Sequence, residues 1–169
     1  HWVSADMPAP LPPGLRLTDP VALAATWFGA GLLPKAPGTW GSLAALPPAL
    51  LLAWLGGPWA LMAGALAAFA LGLWASARYA AAAGKDDPSE VVIDEVAAQW
   101  LVLAFLPLAP LPWLAGFALF RLFDAAKPWP VSLADRRLKG GFGIMADDMV
   151  AAGCTVLVIF VYRIVTEGF

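Results

Sequence analysis

Histidine is almost missing from this chain. His1, at the very start, is the only one, so mechanisms that need an internal imidazole as base, nucleophile or metal ligand are excluded. Cysteine is as scarce: a single Cys154 in an apolar run allows no internal disulfide and no thiolate metal cluster. A C-x5-R phosphatase nucleophile would need Arg at position 160, where Phe160 stands. No D-x-D run marks an aspartyl-phosphate enzyme. Charge is also thin. Asp, Glu, Lys and Arg make up 13% of the residues against about 25% in ordinary soluble domains. With a net charge of -2 and no sustained basic stripe, nucleic acid is excluded as the main partner.

What fills the chain instead is apolar. Hydrophobic residues reach 61% of 169, against about 45–50% in soluble domains, and mean hydropathy is +0.76. The solvent for most of this chain is therefore lipid. Residues 1–6 precede Met7 and are set aside from the fold argument, and residues 1–19 read as an N-terminal tail. Residues 20–169 read as one membrane-embedded domain. A bilayer span needs about 20 mainly apolar residues, and residues 36–77 carry no charged side chain at all. Gly56-Gly57-Pro58 divides that run into helices over about residues 42–55 and 58–77. A second uncharged run, 96–120, is cut by Pro107, Pro110 and Pro112 into helices over about 91–106 and 112–126. A last helix is expected over about 147–165. The apolar stretch 20–34 reads as a short membrane-associated helix. The expected fold is thus all-α: a polytopic membrane bundle of about five membrane helices with a short N-terminal interfacial helix. Trp40, Trp59, Trp100, Trp113 and Trp129 read as interfacial anchors.

The two hairpin tips hold no Lys or Arg, while Lys35, Arg78, Lys85, Lys127, Arg136, Arg137 and Lys139 fall at the opposite helix ends. Those ends should face the cytoplasm. Of the 22 charged residues, 15 lie in two windows, 85–95 and 121–148, and both map to that face. Charges distant in sequence therefore converge in space.

Among them are five carboxylates: Asp94 and Glu95 in the first turns of the third helix, Asp124 in the last turn of the fourth, and Asp147 with Asp148 at the start of the fifth. Ionised carboxylates near lipid are costly, about 2.5–3.5 kcal/mol each on insertion scales at mid-membrane. Arg121 and Lys127 flank Asp124 at i-3 and i+3, but two cations do not offset five acids. A hard divalent cation such as Mg2+, held by carboxylate oxygens together with phosphate oxygens of a ligand, would. Two glycine-containing segments could clasp that phosphate: residues 34–42, with Lys35, Thr39 and Ser42 at a helix start, and residues 139–143, with Lys139 and Gly141. Plainer readings stand beside these. Asp147 or Asp148 could cap a helix, Asp94 and Glu95 could favour a solvated helix dipole, Arg121–Asp124 could be an ordinary helical pair, and the glycines could be turn chemistry.

Four ordered blocks carry a resemblance: G-L-L-P-K-A-P-G-T-W-G-S at 31–42, V-V-I-D-E at 91–95, F-R-L-F-D-A-A-K-P-W-P at 120–130 and G-G-F-G-I-M-A-D-D-M-V-A-A-G at 140–153. Together they resemble the bacterial phosphatidylglycerophosphatase A family over about residues 20–165. Ala98 stands where the family pattern usually has Gly. The resemblance implies an inner-membrane, Mg2+-dependent lipid phosphatase converting phosphatidylglycerol phosphate to phosphatidylglycerol and inorganic phosphate, with its active site on the cytoplasmic side. It points to Asp94, Glu95, Asp124 and Asp148, with Asp147, as metal ligands or catalytic acids. Lys127, Arg121, Lys35, Thr39 and Ser42 would orient the phosphate, and the acyl chains would stay in the bilayer along grooves between helices. Asp94 or Glu95 is the expected base. Two other classes use the same acids. A small carrier would place them along a path through the bundle, and a CDP-alcohol phosphotransferase would need a longer Asp-Gly, Ala-Arg, Gly, Asp, Asp spacing that is not found here.

Overall fold

A computed structural model describes residues 11–138 and 140–167. Every regular element among the described residues is helical: α1 (Pro20–Ala25), a 3-10 turn (Ala30–Leu32), α2 (Pro37–Ala83), α3 (Ile93–Ala104), α4 (Pro110–Ala126), α5 (Val131–Arg137) and α6 (Gly140–Glu167). Proline occupies the first turn of α1, α2 and α4, where its missing N–H would have had no helical partner anyway.

The 47 residues of α2 form two arms. Gly57, at φ 67 and ψ -155, leaves helical geometry between residues 37–56 and 58–83, a conformation that costs glycine little and other residues much. Trp100 shows that the arms fold back on each other. Its indole N–H donates to the Ala45 carbonyl at 2.8 Å, and its ring lies 3.2 Å from where a Cβ on Gly64 would be. In a straight helix residues 45 and 64 would be about 28 Å apart. The Gly-Gly-Pro break expected from the sequence is therefore a real hairpin. Trp100 itself is only 7% exposed, so it is a core residue clamped between the arms and not an interfacial anchor. Trp59 and Trp129 are exposed, as anchors would be.

Helix α3 is the centre of the bundle. Residues 91–100 are buried without a break, and α3 packs against α2, α4 and α6. Apart from Asp94, Glu95 and Gln99 its side chains are apolar, as suits a helix enclosed by other helices. Tyr79, Ile93, Val96, Leu103 and Met145 share one core cluster with Trp100. Ala98, Val102, Phe120, Ala151 and Ala152 form another. The Ala98 methyl, placed where a glycine was expected, is fully enclosed there.

The expected helical class holds, and the expected five membrane helices are supported in part. Among the described residues two helices, α2 and α6, are long and apolar enough to cross a membrane. At 12 residues, α3 is about 18 Å long, well under the roughly 30 Å of a hydrocarbon core. It ends before Pro107 and is wrapped by its neighbours, so it need not span. The stretch 20–34 contracts to the six residues of α1 and one 3-10 turn. A short helix not expected from the sequence, α5, precedes α6, and α6 starts at Gly140, seven residues before Asp147. The outside of the bundle is apolar, with Trp54, Leu55, Leu111, Leu157 and Phe160 all exposed. So large an apolar exterior calls for a non-aqueous surround.

Candidate functional site

Three helices deliver acids to one place. Asp94 and Glu95 sit in the first turn of α3, Asp124 near the end of α4, and Asp147 and Asp148 two turns into α6. They line a cavity of about 300 Å³ together with Arg121, Lys127, Asp87, Pro37 and Gly38. The capping and solvated-turn readings fail on position and burial, while Arg121 and Asp124 do form the helical i,i+3 pair. Asp147 and Asp148 lie inside the body of α6 and cap nothing. Asp94 and Glu95 are buried, at 8% and 6% exposure, and not in a solvated turn.

Within the cavity the acids divide into two sets. Asp94, Glu95 and Asp148 each offer a carboxylate oxygen, and the three oxygens lie within 4.8 Å of one another. Asp124 is held by the Arg121 guanidinium and also stands beside Glu95 and Asp148. Arg121 bridges the two sets, because it reaches Glu95 Oε2 at 3.1 Å as well. Asp147 faces Lys127 at 3.6 Å, and Lys127 also contacts Asp135 of α5 at 3.3 Å. Burial works against the Lys127 charge, but Asp147 and then Asp135 outweigh it, so its ammonium holds its proton above the usual lysine range.

Second contacts fix the geometry. The Glu95 backbone N–H donates to Asp94 Oδ1 at 2.9 Å, and the buried Ser42 hydroxyl donates to Glu95 Oε2 at 3.5 Å. Two buried oxygens, Asp148 Oδ2 and Asp147 Oδ1, have no hydrogen-bond partner among the described residues. Unpaired buried carboxylate oxygens are costly. Three oxygens at mutual ligand spacing, with an orphan beside them, fit a hard divalent cation, which prefers such donors.

The two glycine-containing segments part company. From residues 34–42, Pro37 and Gly38 line the cavity, whereas Lys35 and Thr39 do not, and Ser42 acts on Glu95 from beneath. Of the described residues 140–143, none lines this cavity. Gly141 packs on α2, where a Cβ would come 2.7 Å from the Leu73 carbonyl and 2.8 Å from the Ala77 methyl. It is a helix-packing residue and not part of a phosphate loop. Lys139 lies outside the described residues. Asp87 and Gly38 are among the lining residues that the sequence reading did not single out. Asp87 sat inside the charged window 85–95 without being singled out, and Gly38 was hidden within a motif whose hydroxyls and lysine drew attention instead.

Residues 23–163 match the family model described as phosphatidylglycerophosphatase A. Over 148 residues the chain is 43% identical to a phosphatidylglycerophosphatase A of Haemophilus influenzae, covering 86% of this chain and 90% of that protein. It is 40% identical over 139 residues to the Escherichia coli protein of the same name, covering 81% and 80%. A Bacteroides thetaiotaomicron protein named provisionally as a phosphatidylinositol-3-phosphatase is 36% identical over 149 residues, covering 83% and 92%. No solved structure matches the chain.

Proposed function

The chain belongs to the phosphatidylglycerophosphatase A family, and from that premise we propose that it is a Mg2+-dependent phosphatase acting on phosphatidylglycerol phosphate. It releases inorganic phosphate and leaves phosphatidylglycerol, a step of phospholipid biosynthesis at the cytoplasmic face of a bacterial inner membrane. The observation that carries this reading is the approach of Asp94, Glu95 and Asp148 to within 4.8 Å at the head of a bundle whose flanks are apolar. A phosphomonoester can meet the acids there while the acyl part of the lipid lies along the apolar flanks of the bundle.

Asp94, Glu95 and Asp148 would hold the ion. The chemistry supplied by a bound Mg2+ is polarisation of the phosphoryl group and acidification of a water. Arg121 orients Glu95 and Asp124 through its contacts with both, and it presents positive charge toward the phosphoryl oxygens. Lys127, the other lining cation, offsets charge on the equatorial oxygens. Proton acceptance falls to Asp124. Sequence alone favoured Asp94 or Glu95, but both are drawn into the oxygen triad, whereas Asp124 stays beside it and is partly open to the cavity. A group not occupied by the ion is free to take the proton of the attacking water.

The carrier reading asks for acids spread along a path through the bundle, and these cluster at the heads of α3 and α6 and the tail of α4. The deciding experiment is phosphate release by the purified protein from phosphatidylglycerol phosphate in detergent. Activity should vanish with EDTA and return with Mg2+. Turnover unaffected by EDTA removes the metal reading, and no turnover under any metal removes the substrate.

A further inference from the structure

A second cavity, about 470 Å³, lies between α4 and α6, closed at one end by the turn that follows α3. We propose that this groove binds one acyl chain of the lipid substrate and so makes turnover depend on acyl length. The proposal rests on the lipid-phosphatase reading above and adds a binding site to it.

Position comes first. Leu119, at the near end of the groove, is five residues before Asp124 on α4, about 8 Å along the helix axis. Val158 is ten residues past Asp148 on α6, about 15 Å away, and Glu167 at the far end is about 28 Å away. The groove therefore begins just below the acidic cavity and continues along the same two helices that carry Asp124 and Asp148. A lipid with its terminal phosphate among the acids would bring its acyl ester to that near end. An extended chain advances about 1.2 Å per bond, so a fatty acid of about 16 carbons reaches about 19 Å, close to the span from Leu119 to the far end.

Size and chemistry agree with that occupant. At about 30 Å³ for a water-sized group, the volume is on the order of 15 methylenes, the size of one acyl chain. Ala115, Leu119, Val158 and Ile159 give the groove an apolar lining, and the ion pair of Arg163 with Glu167, 3.6 Å apart, stands at its far end. Charged groups placed there suit the end of a tail's path, not its middle.

The test uses the full chain in detergent with two forms of phosphatidylglycerol phosphate, one bearing hexanoyl and one bearing palmitoyl chains. Ala115→Trp and, separately, Val158→Trp place an indole in the groove at exposed positions. An indole in the groove excludes the chain by overlap, so kcat/KM for the palmitoyl lipid should fall by about tenfold or more. The hexanoyl lipid, too short to fill the groove, should change by less than about twofold, which also reports intact folding. Equal effects on both lipids, or on neither, overturn the groove. A variant that loses a dimer while keeping its length dependence assigns the groove to a second copy and overturns it too. If the wild type hydrolyses neither lipid, the phosphatase reading fails and the groove's role fails with it.

Discussion

Residues 34–42 and 139–143 look alike as sequence. Both combine glycines with a lysine, and both precede apolar helix. In the folded chain they do opposite work. Gly38 opens onto the acidic cavity, and a Cβ there would stand 3.1 Å from both Arg121 Nη1 and Glu95 Oε1. Gly141 faces away from the cavity and meets the Leu73 backbone and Ala77. One glycine makes room for a guanidinium–carboxylate pair, and the other lets two helices touch. What a glycine is for depends on what its missing methyl would strike, and composition does not contain that information.

The largest effect expected on the cavity side comes from the residue given the proton. Asp124→Asn keeps the shape and most of the Arg121 contact but removes the basic oxygen, so kcat should fall about 10²–10⁴-fold. Thermal stability should change little, since the side chain is not fully enclosed. Phosphate release alongside a melting curve separates the two. A variant within about threefold of wild type would return the base to Asp94 or Glu95.

Gly38→Ala comes next and strikes the comparison directly. The new methyl pushes on Arg121 and Glu95 by a few tenths of an ångström. Misplacement of about 1 Å in reacting groups can cost about 10²-fold, so a drop of about tenfold is expected, carried mainly by kcat. Gly141→Ala should reverse the pattern. Its clash is with backbone, which yields poorly, and overpacking of this kind costs about 1–3 kcal/mol. The melting temperature should fall while the activity of the folded fraction holds. Were Gly141→Ala to abolish turnover at full stability, the separation of the two segments would be wrong.

Much of this was readable beforehand, for physical reasons. Gly56-Gly57-Pro58 interrupts a charge-free run so sharply that a hairpin was the one economical outcome, and Gly57 turns the chain there. Acids at Asp94, Asp124 and Asp148 had to converge once the helices alternated direction. Other features depended on the surroundings. In a chain this apolar, helix faces carry little contrast, so nothing local distinguishes Trp100, sealed between the arms of α2, from the exposed Trp59. The shortness of α3 reflects its enclosure by three neighbours, which no stretch of its own sequence states. Helix α5 is seven residues of mixed character, too short for periodicity to register. The early start of α6 was masked by glycines that look like a turn until α2 is packed beside them.

The smallest expected effect concerns Thr39, one residue beyond Gly38. Its hydroxyl looked like a phosphate ligand because helix starts attract anions. In the structure its backbone N–H bonds the Ala36 carbonyl at 3.0 Å, which spends the donor on closing the first turn of α2, and Thr39 is not among the residues lining the cavity. Thr39→Val keeps the branched shape and removes only the hydroxyl, so kcat/KM should stay within about threefold of wild type, less than one neutral hydrogen bond is worth. Ser42→Ala gives the contrast, since its hydroxyl reaches Glu95 and its loss should lower activity more than that of Thr39, though less than the Gly38 methyl. Parallel kcat/KM measurements on the two variants rank them. A larger loss for Thr39 than for Ser42 would mean that α2 presents its outer hydroxyl to the phosphate, and that this glycine segment is a binding loop after all.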